Sequence, residues 1–466
     1  MSESLLPWYW RSLPLAGRTG SDIFARLFLQ EPGMAVLLES PYPTPADFSQ
    51  LSRYSLCAGA PRRLGGKTQL WTPPIGEILP LLAQLERRGQ NTNVDAPEDL
   101  PFTGGWLGWL GYDLAWEIER LPTHNRDPLP FPVACWYEPA AFAVLDHAKQ
   151  VLWLATTVSE ELDKLEAQLD VDYSPLLTNT ATSSPSNLSF LSSRSDYQQA
   201  VRRAKEYIQA GDIFQANLSL RFQSTINVDS WSIYRRLQAI NPSPFACYWQ
   251  SPWGVLISCS PERLVQLQGN IAQTRPIAGT RPRGKTPQEE QQLAEELMTS
   301  TKERAEHIML VDLERNDLGR VCEWGSVVVD ELLVVERYSH VMHLVSNVRG
   351  TLRSHNNTVD LIRALFPGGT ITGCPKVRCL EIIEELEPVR RNLFYGSCGY
   401  LDWRGNLDLN ILIRTLLLAQ EDKAIPHYRV WGQVGAGIVA DSDPESEWRE
   451  SLHKAEAQFV ALSEIF

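Results

Sequence analysis

The segment TSTKERAEHIMLVDLERNDLGR, residues 299–320, continues a stretch rich in Glu and Lys that we expect to be helical from about residue 286. A helix places Glu303 and Glu306 on one face, because side chains three residues apart are neighbours on its surface. Grouped carboxylates are the ligands that a hard divalent cation prefers. A solvent-exposed helix face shows the same spacing, so this segment alone leaves both interpretations open.

A second pair of carboxylates lies near the C-terminus, in ADSDPESEWRESLHKAEA, residues 440–457. Glu447 and Glu450 are again three residues apart, and Lys454 follows Glu450 at the spacing of a helical ion pair. A surface helix explains this pattern as well as a metal site does. Two such pairs on two helices can hold one Mg²⁺ ion, but the spacing does not show that the helices meet.

Two segments rich in glycine or arginine suggest contacts with an anion. RPIAGTRPRGKT, residues 275–286, is punctuated by Pro and Gly and carries several cations, and we expect a loop there. FPGGTITGCPKVR, residues 366–378, resembles a glycine loop that feeds a helix N-terminus. It lacks the Gly-Lys-Ser/Thr ending of a P-loop, which excludes a nucleotide site of that type. A basic surface turn and an ordinary helix cap are the alternatives.

Two further segments contain candidate catalytic or binding groups. VERYSHVMHLVSN, residues 335–347, places His343 in apolar surroundings as a candidate proton carrier, although core histidines are commonly structural. VWGQVGAGIVADS, residues 430–442, carries Gly435 and Gly437 within a predicted strand. Glycines there indicate either close approach by a ligand or a bulge.

The composition excludes several classes of protein. The 466 residues carry a formal net charge of −13, so a basic nucleic-acid footprint is absent and we expect no nucleic-acid partner. No apolar run reaches the roughly 18 residues that indicate a membrane span, and the acidic start MSESLLPWYW does not resemble a signal peptide. The 8 cysteines include no Cys-x-x-Cys pair, which favours reduced thiols and a cytoplasmic location.

A stretch rich in Ser, Thr and Asn predicts a linker at residues 178–195, between an N-terminal region at 1–177 and a C-terminal region at 196–466. The N-terminal region carries short alternating segments that we expect to be strands. The C-terminal region combines an amphipathic helix at 196–210 with predicted strands such as GVLISCS at 254–260. These patterns predict an α/β or α+β fold with substantial antiparallel sheet.

Taken in order, seven segments resemble the chorismate-utilising family that contains anthranilate synthase component I and aminodeoxychorismate synthase component I. They are SPERLV (260–265), PIAGTRPRG (276–284), ERAEHIMLVDLERNDLGR (303–320), ERYSHVMHLVS (336–346), GGTITGCPKVR (368–378), GYLDWRGNLDLNILIRT (399–415) and GAGIVADSDPESEWRE (435–450). The N-terminal region is similar to the family at LLES (37–40) and LPFTGGWLGWLGYDLAWEIERLP (100–122).

The resemblance implies an α+β fold in which two large, mainly antiparallel sheets face each other with helices outside. It implies a Mg²⁺ cofactor bound by Glu306 and Glu450, with Glu447 and Glu303 in support. The implied substrate contacts are Ala278, Gly279, Thr372, Tyr400, Arg414, Gly435, Gly437 and Lys454. Thr280 is placed near the leaving hydroxyl, and His343 is the implied base; these two and Glu303 form the predicted catalytic set.

The resemblance also implies the reaction. Ammonia adds at C2 of chorismate, the C4 hydroxyl leaves, and pyruvate is lost after His343 removes the C2 proton. In the well-described route of aminodeoxychorismate synthases, a lysine in a Pro-Ile-Lys-Gly-Thr motif attacks C2 first. The corresponding segment here has Ala278, which carries no nucleophile. We therefore predict anthranilate as the product.

Other members of the family are alternatives. GDIFQANLSLRF (211–222), PGGTITG (367–373) and FYGSCGYL (394–401) are more similar to aminodeoxychorismate synthase component I, so 4-amino-4-deoxychorismate is the main alternative product. An isochorismate or salicylate synthase would have to activate water in place of ammonia. A non-catalytic, regulatory protein of the same fold is a remote alternative, because all four glutamates are present.

We expect two ligands or partners besides chorismate. None of the 8 cysteines lies in the Gly-x-Cys-x-Gly turn of a glutaminase, so ammonia must come from solution or from a separate glutamine amidotransferase subunit. A set of residues resembles the tryptophan-binding elements of anthranilate synthases, namely Glu39, Ser40, Pro242, Ser243 and Phe245. Tryptophan is therefore a candidate effector, with its ammonium paired to Glu39 and its indole on the proline-rich turn.

Overall fold

The computed structural model describes residues 8–41, 51–90, 96–97, 99–170, 186–337, 341–420 and 427–463. In chain order its strands are β1 (Tyr9–Pro14), β2 (Ala35–Glu39), β3 (Tyr54–Ala58), β4 (Arg63–Leu64), β5 (Lys67–Thr68), β6 (Leu70–Trp71), β7 (Gly105–Leu110), β8 (Ala134–Tyr137), β9 (Ala141–Asp146), β10 (Val151–Thr156), β11 (Ser186–Phe190), β12 (Gln215–Ile226), β13 (Phe245–Ser251), β14 (Gly254–Ser260), β15 (Arg263–Gln268), β16 (Ile271–Thr274), β17 (Ile277–Pro282), β18 (Val328–Arg337), β19 (Val341–Thr351), β20 (Gly373–Cys374), β21 (Ser397–Asp402), β22 (Leu407–Asn410), β23 (Thr415–Gln420) and β24 (Tyr428–Ile438).

The helices of the described residues lie mostly on the outside of the sheets. They are α1 (Gly20–Leu27), α2 (Ile78–Gln90), α3 (Ala115–Ile118), α4 (Glu161–Leu169), α5 (Arg194–Gln209), α6 (Ser230–Ile240), α7 (Pro287–Thr299), α8 (Thr301–Gly319), α9 (Thr358–Leu365), α10 (Lys376–Leu386) and α11 (Pro444–Leu462). Within the described ranges, none of these helices has the length and apolar character needed to cross a membrane.

Two large antiparallel sheets organise these elements. The first has 12 strands, in the order β1-β10-β9-β3-β2-β13-β14-β23-β24-β12-β11, with β20 also paired to β12. The second has 10 strands, in the order β17-β19-β16-β15-β22-β21-β7-β8-β6, with β18 also paired to β19. The N-terminal and C-terminal regions share both sheets, because β2 pairs with β13 in the first and β7 pairs with β21 in the second.

The main core lies between the two sheets. Trp249 of the first sheet and Trp106 and Trp136 of the second belong to one buried cluster. The rings of Trp109 and Trp249 meet edge to face, with centroids 5.5 Å apart. Burial of one large apolar side chain contributes about 1.5–3 kcal/mol, so this layer holds the sheets face to face. The predicted α+β fold with two facing, mainly antiparallel sheets is confirmed.

A second core covers the outer face of the first sheet, under α1, α4, α6 and α11. Side chains alternate along β2, so that Val36 and Leu38 pack between the sheets while Leu37 packs on the outer side. Glu39 follows on the same outer side as Leu37, next to Gly20 of α1. This alternation decides what the Glu39 carboxylate can contact.

The predicted linker is partly corrected. Residues 186–190 form β11 and pair with β12, so this part of the segment is an edge strand of the first sheet. The physical reason is Phe190, whose ring packs against Phe222 and Trp448 with centroids 6.3 and 5.7 Å away. Residues 178–185 of the predicted linker lie outside the described part of the chain.

Candidate active site

Helices α8 and α11 carry the two predicted carboxylate pairs. Ser300 caps α8 by accepting a hydrogen bond from the Glu303 backbone (3.3 Å), and this start places Glu306 one turn further on. Asp443 caps α11 in the same way, and Glu447 of that helix is buried. The helices inferred from the glutamate spacing are therefore confirmed.

Lys454 connects α11 to β24. Its ammonium binds the Glu450 carboxylate (2.8 Å) and the Gly435 carbonyl oxygen (3.2 Å). Although burial opposes ionisation, Lys454 holds the pKa of Glu450 below its usual value, with help from Lys302. Since Lys302 belongs to α8, a charge on one helix acts on a carboxylate of the other.

Glu306 of α8 is influenced by the same two lysines, Lys454 and Lys302. Burial raises the pKa of Glu306, and the neighbouring Glu303 charge raises it further. Lys454 and Lys302 act against this increase. The Glu306 Oε1 atom also accepts a hydrogen bond from Gln215 Nε2 (3.1 Å). The same two lysines thus act on a carboxylate of each helix, which spacing along the sequence did not show.

The carboxylates suit a hard divalent cation in chemistry, but their present partners are protein groups. A cation would relieve the repulsion between Glu303 and Glu306. Within the described ranges, no group of three or more His, Cys, Asp or Glu side chains is arranged to hold a metal ion. Glu306 is bound by Gln215, and Glu450 is bound by Lys454. Metal binding would require these glutamates to turn away from those partners.

His343 is anchored through its Nδ1 atom. It lies on β19, where Nδ1 is 3.0 Å from Thr280 Oγ1 and 3.2 Å from the Gly279 carbonyl oxygen. A carbonyl oxygen only accepts, so the contact with Gly279 places the proton on Nδ1 and makes Nε2 the basic nitrogen. Burial lowers the pKa of His343 to about 4, so the ring is neutral at physiological pH, as a general base must be.

Strand β17 is bent at Gly279. Residues 277–282 form this strand and not the predicted loop, because β19 supplies backbone partners for them. The register shifts at Gly279, which has φ +62°, as in bulges whose extra residue is a left-handed glycine. A Cβ atom at Gly279 would lie 2.9 Å from Glu303 Oε2. The bulge residue Gly279 therefore lies between His343 and Glu303 of α8.

Arg414 and Tyr395 lie on the same side of the site. Burial lowers the pKa of Arg414, and the neighbouring Tyr395 acts against this decrease. Arg414 in turn adds to the lowering of the His343 pKa, so these two side chains are close. Sequence reasoning selected Tyr400, which lies inside β21 and lines a separate cavity. That prediction is corrected: Tyr395, at φ +64° in the turn before β21, is the tyrosine beside Arg414.

Gly435 and Gly437 allow close packing around the site. A Cβ atom at Gly435 would lie 2.4 Å from the Leu218 carbonyl oxygen. One at Gly437 would lie 2.2 Å from Gln215 Nε2 and 3.4 Å from Glu306 Oε1. The register between β12 and β24 is continuous, so the bulge alternative is wrong. Glycine is needed here because β12 and α8 approach the backbone of β24.

Two amides on β12 were not selected from the sequence. Gln215 and Asn217 are two residues apart and therefore share one face of the strand, with Asn217 directly opposite Gly437. Gln215 Oε1 and Asn217 Oδ1 are buried and have no hydrogen-bond partner among the described residues. Buried carboxamide oxygens normally accept a hydrogen bond, so a ligand at this face could donate to these two oxygens. The only sequence signal was the position of both residues in GDIFQANLSLRF.

The predicted anion loop at 366–378 is held by internal contacts. Thr372 Oγ1 donates to the Gly368 carbonyl oxygen (2.8 Å), and the Thr372 carbonyl accepts from the Asn217 backbone (2.8 Å). Lys376 binds Asp317 (2.6 Å). This lysine is therefore already paired, and the Thr372 hydroxyl shapes the turn beside β12.

A buried carboxyl group near the site was also missed. Residues 260–262 cross from β14 of the first sheet to β15 of the second, beside the returning crossover at 411–414. Burial raises the pKa of Glu262 to about 8, against the effect of the Thr370 hydroxyl. The Thr370 carbonyl accepts from Asn217 Nδ2 (3.3 Å), which connects this carboxyl group to the amide face of β12. Glu262 therefore carries a proton at neutral pH.

A separate cavity of about 730 Å³, including its open mouth, lies between the sheets. Its apolar wall includes Leu56, Phe102 and Tyr400, and Arg263 and Asp408 lie at its polar end. Of the five predicted effector residues, three line it: Glu39, Ser40 and Phe245. Pro242 and Ser243 do not; the turn instead contributes Pro244, because the Ser243 hydroxyl is turned back onto the Asn241 carbonyl (3.1 Å).

The Glu39 carboxylate, predicted to pair with a ligand ammonium, is already bound by protein groups. Its Oε1 accepts from the Ser21 backbone (2.7 Å), and its Oε2 accepts from Ser21 Oγ (2.7 Å) and Tyr234 Oη (2.6 Å). Burial raises the pKa of Glu39, and the bonds from Tyr234 and Ser21 oppose this. The carboxylate is therefore bound by α1 and α6 on the outer face of β2, away from the cavity between the sheets.

The charged pair at the polar end of the cavity offers both signs of charge. Arg263 donates two hydrogen bonds to Asp408, each 2.9 Å long, and its guanidinium lies 4.9 Å from the centre of the Phe245 ring. Gln266 also donates to Asp408 (3.0 Å). This arrangement can meet a zwitterion with the arginine on one end and the aspartate on the other.

The chain matches the family model of chorismate binding enzymes over residues 57–459, and it belongs to that family. It is 61% identical over 462 residues to an anthranilate synthase component I-like protein of Synechocystis sp., covering 98% of this chain and 92% of that protein. It is 45% identical over 385 residues to aminodeoxychorismate synthase component 1 of Bacillus subtilis, covering 80% and 79%. It is 44% identical over 398 residues to anthranilate synthase component 1 of Synechocystis sp., covering 79% and 78%.

The fold is that of anthranilate synthase component I. The crystal structure of that enzyme from Streptococcus pneumoniae superposes with a TM-score of 0.75 at 30% identity, covering 88% of this chain and 92% of the other. The protein is therefore a chorismate-utilising enzyme similar to anthranilate synthase component I.

Proposed function

We propose that the protein catalyses the Mg²⁺-dependent amination of chorismate by ammonia and releases anthranilate and pyruvate. The observation that carries this proposal is neutral His343, anchored by Gly279 and Thr280 beside the carboxylates of α8. Pyruvate loss requires removal of the C2 proton, and a fixed, neutral imidazole is suited to that step. Ala278 on the same strand has no nucleophilic atom, which leaves ammonia as the group that adds at C2.

The two carboxylates of chorismate need positive charge at the site. Arg414 is half-buried, desolvation lowers its pKa, and an anionic substrate would compensate its charge. Lys454 lies against the Gly435 carbonyl on the other side. We assign Arg414 and Lys454 to the substrate carboxylates, with the backbone around Gly435 and Gly437 and the amide of Gln215 completing the contacts.

The leaving C4 hydroxyl needs a proton to depart as water. Glu262 holds one at neutral pH, because burial raises its pKa to about 8. We assign Glu262 as this acid, with Thr280 near the same hydroxyl. A carboxyl group and an imidazole with separated pKa values can act as acid and base in one site.

Glu306 and Glu450 would hold Mg²⁺, with Glu303 and Glu447 supporting them. When bound there, the metal would neutralise the ring carboxylate and stabilise the charge that develops in the transition state. The carboxylates themselves position Gln215 and Lys454, and release of these two groups would make them available to the substrate.

One assay tests the proposal. Purified protein is incubated with chorismate, Mg²⁺ and an ammonium salt, and the products are separated by chromatography and detected by fluorescence. We expect fluorescent anthranilate together with an equal amount of pyruvate. His343→Met should consume chorismate and accumulate the aminated, pyruvyl-bearing intermediate, because only the second step requires the base. No consumption of chorismate would contradict the proposal.

The second candidate product is 4-amino-4-deoxychorismate, and two observations favour it. The Synechocystis anthranilate synthase component I-like protein comes from an organism that also has a protein named anthranilate synthase component 1. The first of these is therefore available for a different amination. In addition, Asn217, from a segment similar to aminodeoxychorismate synthases, presents an unsatisfied oxygen at the site. If the same assay gives no anthranilate but yields 4-aminobenzoate after addition of aminodeoxychorismate lyase, this candidate is correct.

We propose that ammonia is delivered by a separate glutamine amidotransferase subunit. The proposal rests on the absence of a glutaminase nucleophile turn among the 8 cysteines in the sequence. We expect turnover with ammonium salt alone, and turnover with glutamine only after such a subunit is added. Glutamine-dependent turnover by the isolated chain would contradict this.

The cavity between the sheets is proposed as the site of an amino-acid effector such as tryptophan. Its rings, Phe102, Phe245 and Tyr400, suit an indole, and the pair of Arg263 and Asp408 suits the zwitterionic end. Glu39 is excluded as the ammonium partner by its bonds to α1 and α6. Asp408→Asn should weaken tryptophan binding measured by calorimetry. No heat of binding to the wild-type protein at millimolar tryptophan would end the proposal.

A further inference from the structure

Two cysteine thiols meet where the sheets face each other. Cys247 of β13 belongs to the first sheet and Cys398 of β21 to the second, and their Sγ atoms are 3.4 Å apart. Both side chains are buried, with 0% and 2% of their surface exposed. A disulfide has sulfur atoms about 2.05 Å apart, so closure would require a combined movement of roughly 1.4 Å.

The pair lies at the wall of the cavity between the sheets. Cys398 lines the cavity together with Gly399 and Tyr400. Its backbone N–H donates to Asn410 Oδ1 (2.9 Å), and the Asn410 amide donates to the Phe245 carbonyl oxygen (3.2 Å). Cys398 is therefore the member of the pair nearer to a small oxidant in the cavity, since Cys247 is not among the residues that line it.

We propose that Cys247 and Cys398 are an oxidisable dithiol that forms a disulfide between the two sheets when a peroxide enters the cavity. Cys398 attacks one oxygen of the peroxide, and the O–O bond breaks to give a sulfenic acid and water from hydrogen peroxide. The Cys247 sulfur then attacks the sulfenic sulfur and releases a second water. In sum, two thiols are oxidised by two electrons, and one hydrogen peroxide is reduced to two waters.

The order of the two steps follows from the surroundings. Burial raises the pKa of the Cys247 thiol, and its contact with Cys398 raises it further, so Cys247 is a poor initial nucleophile. Cys398 lines the cavity, so we place the first step at this residue. The bond would link two residues 151 apart in sequence and add a covalent connection between the two sheets.

The test uses the full-length protein with millimolar hydrogen peroxide. After catalase and N-ethylmaleimide are added, the protein is digested without reductant and analysed by mass spectrometry. We expect a peptide that links Cys247 to Cys398, lighter by two hydrogens than the reduced pair and released by dithiothreitol. The melting temperature of the oxidised protein should rise by several degrees and return after reduction.

Variants provide the control. Cys398→Ala should abolish the linked peptide and the rise in melting temperature. The matched control is Cys57→Ala, because Cys57 is buried in the first sheet and its thiol contacts the Gly20 carbonyl oxygen (3.5 Å); this variant should still form the link. Oxidation of the half-buried Cys374 without any peptide joining Cys247 to Cys398 would overturn the proposal. A link formed only after unfolding, as judged by circular dichroism, would do the same.

Discussion

Replacing Gly279 with alanine tests whether the bend in β17 sets the geometry of His343. Gly279 has φ +62°, and its carbonyl oxygen lies 3.2 Å from His343 Nδ1. A new Cβ atom would lie 2.9 Å from Glu303 Oε2 and 2.7 Å from Leu297 Cδ1. Both distances are shorter than normal contacts between such atoms, so the backbone or its neighbours must move by several tenths of an ångström.

The expected magnitude has two parts. The left-handed conformation costs an alanine about 1–2 kcal/mol of folding stability relative to glycine. Movement of the backbone would lengthen a hydrogen bond to His343 that is already near the limit of useful distance. A displacement of about 1 Å at a catalytic group costs on the order of 100-fold in rate. Since the required shift is smaller, we expect kcat to fall by roughly 10- to 100-fold.

Gly269→Ala is the matched control. Gly269, in the turn between β15 and β16, has φ +61°, and a Cβ atom there would meet nothing within 4 Å. Both variants should lose stability in thermal melts, Gly279→Ala by more because of its close contacts, but only Gly279→Ala should lose kcat in the ammonia-dependent assay. Equal kcat values for the two variants and the wild type would refute the assignment of the bulge to catalysis.

Three further substitutions address the acid, the metal ligands and the amide face. Glu262 is protonated below its pKa of about 8, so activity per unit of free NH₃ should fall as the pH rises through that value. Glu262→Gln should be slower and should lack this alkaline limb. Glu306→Gln should lower kcat at least about 100-fold with little change in melting temperature; full wild-type activity in EDTA would contradict the metal assignment. Asn217→Val removes a polar contact worth about 1 kcal/mol, so the ratio of C2 to C4 products should change by roughly fivefold; an unchanged ratio would exclude Asn217 as a determinant of the product.

Local spacing predicted the elements that carry the site, but not how they meet. The glutamates of α8 and α11 follow a three-residue rule that operates within one helix, and both helices are present. Their shared surroundings arise from the tertiary fold, in which Lys302 and Lys454 act on glutamates of both helices. Glu262 gave no signal as an acid, because its raised pKa arises from burial at a crossover between the sheets.

Glu39 and Tyr400 show a different limit of prediction from the sequence. Strand β2 is buried on both faces, so its apolar run has no alternation from which the side of Glu39 can be inferred. Tyr395 and Tyr400 lie in the same short segment, but a left-handed turn precedes β21 and separates them. A contact between distant segments decides each case, and such contacts leave no periodic pattern in the sequence.

The reaction site and the cavity share the two crossovers between the sheets. Asn410 lines the cavity, and the chain then runs directly to Arg414. The other crossover, residues 260–262, ends at Glu262, and the two crossovers are joined where Ser260 Oγ donates to the Ile411 carbonyl oxygen (2.5 Å). A ligand changes activity only if it binds two arrangements of the protein with different free energies. A cavity ligand that displaces Asn410 would pull on both crossovers, and would therefore move Arg414 and the proposed acid Glu262 together.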